Sequence, residues 1–144
     1  MELVPGISAH FVQSKKFKTN KITVRFTAPL SLETVAGRML NASMLETANK
    51  AYPTSQVFRR YLASLYGTDI STSTYRRGQA HVLDLTFTYV RDEFLSKKNV
   101  LTSRILELVK QTLFAPLVQD GAFELALFEI EKNSKDEQTF NKMM

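Results

Sequence analysis

Two stretches of strict alternation set the terms on which this chain can fold. Between Lys21 and Ala28, residues Ile22, Val24, Phe26 and Ala28 hold one parity, and Lys21, Thr23, Arg25 and Thr27 hold the other. Between His81 and Val90, residues Leu83, Leu85, Phe87 and Tyr89 stand opposite Val82, Asp84, Thr86 and Thr88. A period of two, rich in β-branched and aromatic residues, marks a strand with one buried face. A weaker alternation from Ile7 to Val12 puts Ile7, Ala9 and Phe11 against Ser8, His10 and Val12. The lysine-rich segment that follows contains Thr19-Asn20 and suits a hairpin, so these first two strands are predicted to be adjacent and antiparallel. Asp69 to Tyr75 is polar but β-prone, and Arg76-Arg77-Gly78 reads as its turn into the strand that begins at His81.

The intervening segments have helical spacing. Pro29 removes a ladder donor and ends the second strand. Ser31 can then cap a helix, with Glu33 in the favourable first turn. Leu32, Val35, Ala36, Met39 and Leu40 share a face that continues through Leu45 and Ala48. This helix is expected to stop near Ala51, because Pro53 disfavours helical geometry at Tyr52. Thr54 or Ser55 opens a second helix, with Val57, Phe58, Tyr61, Leu62 and Leu65 on one side and Gly67 as a left-handed stop. A third helix is predicted from Ser96, carrying Leu101, Ile105, Leu108 and Val109 and ending before Pro116. A fourth is predicted from near Ala122.

The order β-β-α-α-β-β-α-α implies an α+β domain spanning residues 1–144, an antiparallel sheet with helices packed on one face. The closing residues Phe140 to Met144 contain no helix stop, so the chain is expected to be a piece of a longer one. With 44% hydrophobic residues, 144 residues suffice for one core. No run of about 18 apolar residues is present, so no membrane partner is expected. The N-terminal Met1 to Pro5 lacks the blocks of a signal peptide. Cysteine is absent, which excludes disulfides and thiolate metal ligands and fits a cytoplasmic location. The formal charge of +5 comes largely from Lys15, Lys16, Lys18 and Lys21, from Arg76-Arg77 and from Lys97-Lys98. These sit at predicted turns or element ends, where solvated cations are ordinary. No recognised nucleic-acid motif accompanies them, and nucleic acid is not an expected partner.

The element order and several landmarks together resemble the first half-domain of the pitrilysin/insulinase family, which includes the mitochondrial processing peptidases. Leu62-Ala63-Ser64-Leu65-Tyr66-Gly67-Thr68 is similar to the family segment in which a helix ends in glycine before a strand. Leu113-Phe114-Ala115-Pro116-Leu117 resembles its Phe-x-Pro landmark, and Glu131-Lys132 its Glu-Arg/Lys pair. The family carries His-x-x-Glu-His on the helix after the first strand pair. Positions i and i+4 stack on a helix, so two imidazoles can grip one zinc ion while the glutamate beside them activates water.

In the matching stretch Ala42-Ser43-Met44-Leu45-Glu46-Thr47, the resemblance places Ser43 and Thr47 at the two histidine positions and Glu46 at the glutamate. Short hydroxyl side chains are poor zinc ligands beside neutral imidazole. The family's third ligand, counted from Glu131, falls on Gln138, with Glu137 one residue away. His10 and His81, both on predicted strands, are read as strand histidines and not as ligands. The resemblance therefore implies a non-catalytic relative with no zinc cofactor, in which Ser43, Glu46, Thr47 and Gln138 or Glu137 are vestigial positions.

Family precedent pairs such chains with an active zinc-bearing homologue to bind or process a peptide or protein, and a homo- or heterodimer is the assembly expected. The subgroup it most resembles is a set of paired bacterial peptidase-like proteins linked to elongation factor P modification or peptide maturation. Two other readings stay open on the sequence: an active zinc metalloendopeptidase with an atypical site, and a basic nucleic-acid-binding module.

Overall fold

The structure is a computed structural model that describes residues 1–96, 100–119, 122–123, 129 and 132–133. Its centre is an antiparallel three-stranded sheet of β3 (Thr19–Pro29), β5 (Ala80–Val90) and β4 (Asp69–Arg77), in that order. The two strongly alternating segments of the sequence are thus direct neighbours. Their register aligns Ile22 with Phe87, Val24 with Leu85 and Phe26 with Leu83. On the other side of β5, Ile70 aligns with Phe87 and Thr72 with Leu85. Because side chains alternate across a strand, these residues all fall on one face. The β4–β5 turn begins two residues later than the sequence suggests. Arg76 and Arg77 are still paired in β4, and Gly78, at φ +60°, takes the left-handed geometry of the turn.

Three helices build the core against that face: α1 (Leu32–Thr47), α2 (Ser55–Ser64) and α3 (Leu101–Phe114). Phe58, Leu62 and Leu65 from α2 and its end meet Leu85, Phe87 and Tyr89 of β5 and Leu101, Ile105 and Leu108 of α3. The α+β architecture is therefore as expected. Thr54 caps α2, its side chain accepting from the Val57 amide at 3.2 Å. Gly67, at φ +71°, lets the chain leave that helix, and its amide bonds the Ala63 carbonyl.

Four local expectations are corrected. Ile7–Ser8 (β2) pairs with Glu2–Val4 (β1) and not with β3, so the lysine-rich hairpin between the first two predicted strands does not form. His10 consequently lies outside any strand. The first helix ends at Thr47, short of Ala51, because buried Asn49 turns the chain locally. Its Oδ1 accepts the Tyr52 amide at 2.9 Å, and its own amide bonds the Tyr52 carbonyl. The third helix starts at Leu101 and not at Ser96, after a 3₁₀ turn over Asp92–Phe94. Asp92 accepts the Thr102 amide at 3.1 Å, satisfying an amide of the first turn. Near Ala122 the chain forms a strand where a helix is expected: Ala122–Phe123 (β7) pairs with Val118–Gln119 (β6). Glu129, Lys132 and Asn133 are helical.

Candidate functional site

The last two turns of α1 carry the motif positions. Ala42, Ser43 and Met44 are buried to within 1% of full burial, so this turn is wedged against the sheet. Ser43, Glu46 and Thr47 follow the i, i+3, i+4 spacing that places side chains on one helical face. The structure gives these groups bonds within the fold. Thr47 Oγ1 donates to the Ser43 carbonyl at 2.7 Å, a bond back along the helix common for threonine. Glu46 Oε2 accepts two hydrogen bonds from Thr72 of β4, from the amide at 2.8 Å and from Oγ1 at 2.7 Å. The carboxylate therefore binds the helix to the edge strand of the sheet.

Zinc needs compact, strongly donating ligands about a common centre. At this site the two stacked positions carry alcohols, one of them engaged with a backbone carbonyl, and the glutamate is directed at Thr72. This donor set does not fit zinc. Among the described residues, no three of His, Cys, Asp and Glu come together in a group able to hold a metal ion. Gln138, Glu137 and the Glu131 from which they are counted lie outside the described residues, as do Lys97 and Lys98.

Neither histidine joins the motif. His10 is exposed, with Nε2 3.4 Å from Ser8 Oγ. His81 sits on β5, aligned with Ala28 and Arg76, and is 4% exposed. Its carbonyl accepts from Arg38 at 3.5 Å, while its Nδ1 is buried with no hydrogen-bond partner among the described residues.

A second polar group lies on the sheet face away from the helices. Arg25 of β3 grips Asp84 of β5 with two bonds of 2.7 Å, and Tyr75 of β4 donates to the same carboxylate at 3.3 Å. The paired guanidinium holds the Asp84 carboxyl below the usual carboxylate range, against the opposing effect of its burial. Asp84 in turn raises the affinity of Arg25 for its proton. The sequence places both on the polar parity of their strands, but only the register shows that they are opposite each other.

No family model matches the chain. The chain is 30% identical, over 129 residues, to a protein of Bacillus subtilis (strain 168) described as "Probable inactive metalloprotease YmfF". That alignment takes in 90% of this chain and 30% of the relative, so the chain spans under a third of the relative's length. It is also similar in structure to a conserved protein from Enterococcus faecalis V583, solved by crystallography. The TM-score is 0.81 and the identity 30%, over 85% of this chain and 29% of that one. The chain thus shares its fold with a solved bacterial protein and is similar in sequence to a metalloprotease-like protein whose own description is inactive.

Proposed function

We propose that the chain is a non-catalytic, metallopeptidase-like unit that holds an extended peptide, the role a degenerate partner plays beside an active homologue. The carrying observation is the state of Glu46. A general base must face a substrate-bound or metal-bound water, whereas this carboxylate accepts both donors of Thr72. The hydroxyls of Ser43 and Thr47 supply no imidazole to a metal beside it. The similarity to a protein described as an inactive metalloprotease supports the same reading, as does the resemblance to the pitrilysin/insulinase first half-domain.

An exposed sheet edge supports the peptide-holding part. Among the described residues no strand pairs with β4 on the side away from β5, and an open edge offers amides and carbonyls to an added strand. β4 lies directly beside the vestigial motif helix. The absence of cysteine accords with work in the cytoplasm.

Two experiments test the reading. Purified chain, incubated alone with a pool of quenched fluorescent peptides and added zinc, is expected to give no turnover above buffer. Zinc-dependent hydrolysis that disappears in Glu46→Gln would overturn the non-catalytic assignment. Affinity capture from the native cell is expected to recover a homologue with an intact His-x-x-Glu-His; its consistent absence would remove the assisting role.

A further inference from the structure

Thr72 occupies the middle of β4, and its amide points to Glu46 and so away from β5. Along an antiparallel strand, amide and carbonyl of one residue point the same way and the direction alternates. Ile70, Thr74 and Arg76 therefore share the outward side with Thr72. This outward row is the part of β4 to which a further strand could bond. Its central amide is already taken by a carboxylate from α1, and Thr72 Oγ1 is taken by the same oxygen.

β4 has otherwise little protection. Natural edge strands are defended by lysine, proline, bulges or inward-reaching charges. Asp69–Arg77 contains no lysine or proline, and its pairing with β5 runs without a register break. The charge of Glu46 comes from the neighbouring helix and lands on the one amide that an added strand would need at its centre.

From this we infer that Glu46 is a latch on the β4 edge: its carboxylate competes with an incoming peptide strand for the Thr72 amide and sets how tightly that strand is held. The inference rests on the peptide-holding reading above and adds its regulation. A strand pairing along β4 must either displace Glu46 or leave a gap opposite Thr72. Weakening the carboxylate's grip therefore raises affinity for the strand. A structural strut with no part in binding would have no such effect.

The test combines amide hydrogen exchange with binding of a fluorescent, N-acetylated octapeptide of alternating valine and threonine. In the unmodified chain the Thr72 amide is expected to exchange more slowly than its outward neighbours Ile70 and Thr74. In Glu46→Ala that protection falls to the neighbours' level, and peptide affinity rises roughly tenfold, as expected when one charge-assisted competitor is lost. Bound peptide then protects Thr72 in the variant. Glu46→Gln, which keeps the side chain's size, is expected to fall between the two and covers the case in which Glu46→Ala fails to fold. Fast exchange at Thr72 in the unmodified chain would overturn the latch without reference to any peptide. Equal affinity in all three proteins would overturn the latch and leave the peptide-holding reading in place. Slow exchange at Thr72 with no binding by any of the three would overturn both the peptide-holding reading and the gating role.

Discussion

Ser43 is 1% exposed on a turn whose neighbours Ala42 and Met44 are equally buried, so the position has been fitted to a small side chain. An imidazole there would have to displace packed atoms. Ser43→His is expected to lower stability by about 1–3 kcal/mol, the range for overfilling a packed site, which a urea titration of the variant checks. The Asp84 carboxyl makes a second prediction at this scale. Its folded pKa lies below that of the unfolded chain, about 3.9 for an aspartate. The unfolded state therefore binds the extra proton, and the stabilisation from the pair is complete above about pH 4. It is lost as pH falls through the folded value. Asp84→Asn removes this dependence, so its stability is expected to fall less than the parent's on acidification below about pH 4, measured by thermal melts across that range.

Among the elements, those with a strong internal period were legible from sequence, and those defined by their partner were not. The alternation through Ile22, Val24 and Phe26 and that through Leu83, Leu85 and Phe87 read directly as strands, and each is one. Alternation fixes a strand's faces but not its neighbour. Nothing local says that β3 pairs with β5 across more than fifty residues, or that Ile7–Ser8 turns back on Glu2–Val4. The same limit hid the Arg25–Asp84–Tyr75 group, which exists only through the register of three strands. That Ser43, Glu46 and Thr47 share one helix was readable from their spacing, but the attachment of Glu46 to Thr72 depends on tertiary packing. One missed signal was present in the sequence: Asp120-Gly121 is a dipeptide favoured in tight hairpins. α3 is joined to the sheet by Leu101, Ile105 and Leu108, all nearly fully buried. Ile105→Ala leaves a void between this helix and β5 and is expected to cost about 2–5 kcal/mol in a denaturant melt, whereas exposed Leu106 replaced by alanine should cost far less.

At the scale of the molecule, a sheet with helices on one face presents two different features: the polar group of Arg25 and buried Asp84 on the opposite face, and the β4 edge beside α1. The similarity to the protein described as "Probable inactive metalloprotease YmfF" and to a solved bacterial structure spans most of this chain and under a third of either relative. The helix that carries Ser43, Glu46 and Thr47 is thus one part of a larger comparison, and its chemistry has to be tested directly. The decisive measurement is the zinc content of the purified chain after dialysis against a chelator and re-exposure to equimolar zinc, read by elemental analysis beside a titration calorimetry trace. Far less than one zinc per chain is expected, and Glu46→Gln leaves that content unchanged. One zinc per chain, held tightly through the chelator step, would contradict it.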